Sequence, residues 1–311
     1  MIIQTGMRTD IPAFYSKWFL NRIKEGYVCV RNPYHPKQVT KYSLSPEVVD
    51  LIAFCTKNPL PMLPFLDALK PYDQYWFVTI TPYGRDIEPN VPDKETVMEG
   101  FKALSNVVGV DSMGWRYDPI FIDKKHSVEW HISEFEKMAE NLAGYTKTCV
   151  ISFIDIYKKV ERNFPEAKSV RAEDRAMIGK AFVKIASKYG MVLKPCAEGE
   201  ELAKYGADCS GCMTVHTFET ALHSRLEVPK RKKNQRNGEC ACLLGTDIGA
   251  YDTCGHLCKY CYANANPVLV KENMRKHNPD SPFLIGGHMS GDIVREAIQK
   301  SWIDRQIRLE F

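Results

Sequence analysis

The segment "CGHLCKYCYAN", residues 254–264, puts three thiols on one short loop. Cys254, Cys258 and Cys261 follow the spacing C-x3-C-x2-C, and Tyr260 stands directly before the last of them. Thiolates so close along the chain can hold three corners of a 4Fe–4S cube, and no cysteine beside them supplies the fourth. An iron left open in that way can bind a substrate atom directly. The alternative is a closed Cys3His zinc site, completed by His256 or a distant residue. His256 lies between Cys254 and Cys258, and ligands two residues apart strain such a tetrahedron.

Five more thiols, Cys196, Cys209, Cys212, Cys240 and Cys242, occupy the same half of the chain. Their C-x2-C and C-x-C pairs are suitable ligand spacings. The set expected to hold an auxiliary 4Fe–4S cluster is Cys196, Cys209, Cys240 and Cys242, with Cys212 the competing choice. Zinc is the main rival there, and no metal is the other. The chain has eleven cysteines, an odd number, which argues against a disulfide framework. Cys29, Cys55 and Cys149 stand alone and are expected to be buried structural thiols.

The elements that must position these residues follow a recurring pattern. "IIQTGMRT", "DLIAFCTKN", "YWFVTITPYG", "MGWRYDPIFI", "TCVISFIDIY" and "MVLKPCAEG" are apolar runs that predict six strands. They are continuous rather than alternating, the mark of parallel strands covered on both faces. Between them lie helical stretches. "PAFYSKWFLNRIKEG" has Pro12 near its start and Gly26 past its end. Val97, Phe101, Leu104 and Val108 share one helix face, and Ile132, Phe135, Ala139 and Leu142 another. In "RAEDRAMIGKAFVKIASKYG" the expected buried face is Ile178, Ala181, Ile185 and Tyr189, with Gly190 ending the helix. Further on, "ANPVLVKENMRKHNP" and "DIVREAIQKSW" read as helices.

Repeated βα units in 311 residues predict an α/β fold, a TIM-like parallel barrel forming one domain over residues 1–311. Residues 196–265 are its cysteine-rich region. Each strand ends in polar residues: Arg8 and Asp10, Lys57 and Asn58, Thr79 and Thr81, Arg116 and Asp118, Asp155 and Lys158, Lys194 and Glu198. In a barrel these positions converge on one mouth, where Arg116 and Asp155 are the candidate catalytic residues. The plainer reading is that some of them cap the helices that follow.

Composition narrows the function classes. Apolar residues are 44% and charged residues 26%, as in ordinary globular proteins. A net charge of +4 is too small to argue for nucleic acid by itself. The basic stretch "KRKKNQRNGE", residues 230–239, reads as a solvated loop before it reads as a nucleic-acid patch. "MIIQTGMRTD" contains no apolar signal-peptide core, and no run is long enough to span a membrane. A cytoplasmic setting with reduced thiols is therefore expected.

The C-x3-C-x2-C loop with its aromatic residue resembles the signature of the radical S-adenosylmethionine superfamily. The resemblance implies that Cys254, Cys258 and Cys261 ligate a 4Fe–4S cluster whose open iron chelates S-adenosylmethionine. It also implies that Tyr260 packs near the adenine. One-electron reduction of the sulfonium would then give methionine and a 5′-deoxyadenosyl radical that attacks a small-molecule substrate. A cellular donor such as flavodoxin or ferredoxin would supply the electron. "FLIGGHMSG" is similar to the superfamily's Gly-Gly-Glu-type turn, so Gly286 and Gly287 become cofactor-binding candidates, although His288 replaces the acid.

A wider likeness covers almost the whole chain. "RTDIPAFY", "RNPYHP", "TKNP", "YGRDIEPN", "WRYDPIFI", "GYTKTCVISFIDIYKK" and "DIGAYDTCGHLCKYCYAN" resemble the blocks of a bacterial family known as domain of unknown function 1848 (DUF1848). In most radical S-adenosylmethionine proteins the cysteine loop follows the first barrel strand, whereas here six βα units precede it. That order implies a circular permutation, with "ACLLGTDIGAYDT" as the extended segment feeding the cysteine loop beside the N-terminal strand. Two other functions compete: an iron–sulfur electron-transfer protein, and a zinc-stabilised nucleic-acid-binding protein.

Overall fold

The computed structural model describes residues 1–229, 241–243 and 245–304. Cys240 and the basic stretch 230–239 lie outside the described residues. All six expected strands form: β1 (Ile2–Gln4), β4 (Leu51–Thr56), β5 (Asp73–Thr79), β6 (Met113–Ile120), β7 (Thr148–Phe153) and β8 (Val192–Pro195). β2 (Tyr27–Arg31) and β3 (Gln38–Ser43) stand apart as an antiparallel pair, and β9 is the two-residue strand Thr246–Asp247.

The main sheet has seven strands in the order β8-β7-β6-β5-β4-β1-β9, and every pair is parallel. The continuous apolar runs explain this. In β4 all six residues are buried, because helices or loops cover both faces. β9 lies against β1 with Ile3 opposite Thr246 and Gln4 opposite Asp247. The segment feeding the cysteine loop therefore sits beside the N-terminal strand, as its sequence predicts. Among the described residues no ladder joins β8 to β9. Irregular chain spans that interval instead. Asp208 N donates to Leu193 O at 2.9 Å, and Leu243 N donates to Met213 O at 2.7 Å.

The predicted first helix is broken at Tyr15 into α1 (Ile11–Phe14) and α2 (Ser16–Glu25). Tyr15 leaves helical geometry, and its hydroxyl donates to Thr253 O at 2.7 Å. Gly26 ends α2 in the left-handed conformation. α3 (Lys94–Val108) and α4 (Val128–Leu142) bury the expected faces, with Val108 and Ile132 half-buried. A short α5 (Lys158–Asn163) follows β7.

α6 (Ala172–Lys188) is rotated from the expected face. Ile178 and Ile185 are buried, but Ala181 and Tyr189 are only half-buried. Phe182 takes the central place because its ring stacks on Phe135 at 3.8 Å, a larger apolar gain than Ala181 offers. α7 (Val215–Leu222) and α8 (Pro267–Arg275) complete the helices.

"DIVREAIQKSW" is not a helix. Residues Ile293–Glu296 form β10, parallel to β3. All four residues are exposed, so nothing packs over an apolar helix face here, and the segment takes its backbone partners from the β3 edge instead. Arg31 grips Asp292 through two hydrogen bonds, at 2.5 and 2.9 Å, and delivers the chain to the β3 edge. No helix of the described residues is long and apolar enough to cross a membrane.

Candidate functional site

The cysteine loop lies across the C-terminal ends of β1, β4, β5 and β7, and each of these ends holds it. Asp10, just past β1, first caps α1 by accepting from Ala13 N at 3.0 Å. Its other oxygen accepts from Lys57 N at 2.7 Å and meets His256 Nε2 at 2.9 Å. After β5, Asn90 N donates to His256 O at 3.2 Å and Lys259 N to Ile87 O at 3.0 Å. Asn90 Nδ2 donates to Gly255 O at 2.8 Å. After β7, Lys159 Nζ in α5 reaches Ala263 O at 3.3 Å. Gly255 is required by close approach: a Cβ there would stand 2.7 Å from the Phe14 ring.

His256 is thereby occupied. Its Nε2 faces Asp10, its Nδ1 faces Asn90 O at 3.3 Å, and the ring is buried against Phe14 at 4.7 Å. It serves as a strut within the loop, and neither ring nitrogen is left to complete a Cys3His tetrahedron.

Cys254, Cys258 and Cys261 all line one cavity of about 210 Å³ at these strand ends. Arg116, Asp118 and Asp155 line it as well, as do Tyr260 and Cys196. The structure thus gathers both candidate catalytic residues and the three loop cysteines around one space. Arg116 is ion-paired with Asp118 and stacks over Phe77 at 5.0 Å. Asp155 accepts from Tyr157 at 2.8 Å. Of the other strand-end residues, Asp10, Lys57 and Thr79 reach the cavity. Asn58 instead caps, accepting from Leu60 N at 3.2 Å, and Arg8 and Lys194 are paired with Asp247 and Asp208. Cys29, Cys55 and Cys149 are buried, as expected, although Cys55 also touches the cavity.

Tyr260 is tied down by a buried carboxylate. Its hydroxyl donates to Glu88, which also accepts from Thr81 Oγ1 at 2.6 Å and from Lys57 Nζ at 2.9 Å. The Lys57 ammonium lies 5.5 Å from the centre of the Tyr260 ring. Glu88 and Asn90 are not marked by strand-end position in the sequence. Their signal was present in "YGRDIEPN", a polar block directly after β5.

Gly286 and Gly287 are not brought to the cavity. Gly286 accepts from Ser281 Oγ at 2.7 Å and Gly287 O accepts from Arg31 at 2.9 Å, so this turn braces the small β2–β3–β10 sheet. His288 lies beside Phe283 there, at 4.9 Å.

The chemistry of the loop thiols fits a bound cationic cluster. Burial raises the pKa of Cys254 well above the usual thiol range, and the Asp10 charge and the other two thiols raise it further. Burial likewise raises Cys258 and Cys261. The backbone amides of Ala263 and Asn264 oppose the rise at Cys261, and Ala263 N donates to its sulfur at 3.4 Å. Thiolates here need a positive partner. Two polar atoms of the cavity wall, Arg116 Nε and Thr9 Oγ1, are buried without a protein hydrogen-bond partner, so the wall retains capacity for a ligand. Among the described residues no three His, Cys, Asp or Glu side chains converge to hold one metal ion. A cubane does not demand that convergence, because each thiolate takes a different iron.

The second thiol group lies beyond Cys196. Cys196, Cys209, Cys212 and Cys242 line a small cavity of about 30 Å³ in the interval between β8 and β9. Cys212, the competing choice in the expected auxiliary set, is central: its sulfur is 3.5 Å from Cys196 and 3.1 Å from Cys242. Cys209 turns aside toward Ala207 O at 3.9 Å.

No curated protein and no solved structure matches the chain. Residues 2–263 match the family model described as "Domain of unknown function (DUF1848)", a span that includes every strand of the main sheet and all three loop cysteines, and the chain belongs to that family.

Proposed function

We propose that the protein is a radical S-adenosylmethionine enzyme acting on a small molecule held in the central cavity. One observation carries the reading: three thiols of one loop line a cavity at the C-terminal ends of parallel strands, while the histidine between them is engaged elsewhere. When bound, a 4Fe–4S cluster with S-adenosylmethionine on its open iron supplies one-electron reductive cleavage to a 5′-deoxyadenosyl radical. Cys254, Cys258 and Cys261 would hold the cluster. Arg116 and Asp155 would orient the substrate, and the surrounding wall would keep water and stray hydrogen donors away. We read the seven-stranded sheet as a permuted barrel, the interval between β8 and β9 being filled by irregular chain. A flavodoxin or ferredoxin would deliver the electron.

Anaerobically reconstituted protein is the test. It should bind iron and sulfide, and changing Cys254, Cys258 and Cys261 together to Ala should abolish the iron held by this loop. With dithionite and S-adenosylmethionine it should slowly release 5′-deoxyadenosine, seen by chromatography. Arg116→Lys and Asp155→Asn should lower turnover while iron content stays near that of the parent. A cluster that forms but neither responds spectroscopically to S-adenosylmethionine nor yields the nucleoside would replace this reading with an electron carrier.

A further inference from the structure

The three closely spaced thiols make a path from the central cavity inward. Cys196 lines both the central cavity and the small cavity behind it, with Cys212 and then Cys242 beyond. The backbone holds these positions side by side. Leu243 N donates to Met213 O at 2.7 Å, so residues 212–213 and 242–243 run past each other in fixed register. Gly211 permits the approach, since a Cβ there would lie 3.2 Å from Ala241 Cβ.

Sulfurs at 3.1 and 3.5 Å are in contact, and a shift of about 1 to 1.5 Å would bring one pair or the other to the disulfide length of about 2.05 Å. A cubane needs its ligand sulfurs spread over separate corners, and a single ion needs four donors around one point. Here Cys212 touches both of the other sulfurs, Cys209 is turned away, and among the described residues no three such side chains converge on one metal ion.

We propose that Cys196, Cys212 and Cys242 form a thiol–disulfide relay that accepts a low-molecular-weight disulfide from the central cavity. The relay does not depend on the cluster at the cysteine loop. The Cys196 thiolate attacks one sulfur of the small disulfide, breaking its S–S bond and releasing one thiolate. Cys212 then attacks Cys196 Sγ, forming the Cys196–Cys212 bond and releasing the second. Cys242 attacks Cys212, leaving a Cys212–Cys242 disulfide and restoring the Cys196 thiolate. Two protein thiols are oxidised, one small disulfide is reduced to two thiols, and the protons leave with those products. Cys196 is the entry point, because it lines the central cavity while its sulfur stays in contact with Cys212 at 3.5 Å.

The probe is 2-hydroxyethyl disulfide, applied to the full chain, followed by alkylation of remaining thiols and peptide mapping by mass spectrometry. Wild-type protein should show a Cys212–Cys242 link, with fragmentation separating Cys242 from Cys240 on their shared peptide. Cys212→Ser should trap the hydroxyethyl adduct on Cys196. Cys196→Ser should form the 212–242 link about tenfold more slowly. Adducts scattered over other cysteines, with no 212–242 link in the wild type, would overturn the relay. So would zinc or iron in the purified protein that is lost in both Cys212→Ser and Cys242→Ser, since the thiols would then be metal ligands. If a variant proves unfolded by circular dichroism, the wild-type map alone decides.

Discussion

Glu88 gathers three donors on one buried carboxylate, and the loop tyrosine depends on it. Lys57, Thr81 and Tyr260 all donate to the same oxygen, and Glu88 is 3% exposed. Lys57 lines the cavity and Glu88 is buried behind it rather than on the surface, so removing one partner strands the other charge largely out of water. Glu88→Gln should destabilise the protein by about 3–5 kcal/mol in urea unfolding. The double variant Lys57→Met, Glu88→Gln should recover at least half of that loss, because no unpaired ammonium remains. Equal losses in the single and double variants would mean that the carboxylate matters through Tyr260 and Thr81 alone. The same residues show why charge at this site could not be read from strand ends by themselves. Lys57 and Arg8 stand at strand ends in the sequence, yet Glu88 and Asp247, which come from other segments, neutralise them in place.

At the scale of elements, the break between α1 and α2 and the cysteine loop form one fitted unit. Tyr15 leaves the helix to hold Thr253 O, Phe14 packs on His256, and Gly255 passes against the Phe14 ring without room for a methyl group. Gly255→Ala should cost about 1–3 kcal/mol by overpacking and should lower the iron retained after reconstitution. Adding Phe14→Leu should restore both; a Gly255→Ala protein with unchanged stability and iron content would show that the loop is not seated by this contact. Such pairings explain which elements were legible. Six strands could be read because each is a buried apolar run with a local signature. β10 could not, because Ile293–Glu296 pairs with the edge of β3 next to the Arg31–Asp292 ion pair, and no local pattern records a contact across 261 residues. Cys254, Cys258 and Cys261 were legible from spacing. The central place of Cys212 was not, since it depends on Gly211 admitting Ala241.

Across the whole molecule, the half-buried acid Glu198 couples the β7 end, α6 and the loop after β8. One oxygen accepts from Phe153 N at 2.8 Å and the other pairs with Arg175 at 2.5 Å. Burial nevertheless outweighs the Arg175 charge, and the carboxyl is pushed from an ordinary 4.5 up to about 7, with Asp155 and Asp118 adding to the rise. The folded state therefore holds this proton more tightly than the unfolded chain does. By linkage, the contribution of Glu198 to stability is fully present below about pH 4.5. It is lost as the pH climbs to about 7 and is constant above that. Glu198→Gln keeps a neutral side chain of the same shape at every pH. The difference in unfolding free energy between variant and wild type should shift in favour of the variant across that window and then level off. Urea titrations of both proteins over the same pH series test this, and parallel curves would show that Arg175 keeps Glu198 ionised throughout. Because Asp155 and Asp118 line the central cavity and also push this proton on, a bound cation or cationic substrate there should lower the midpoint of the transition.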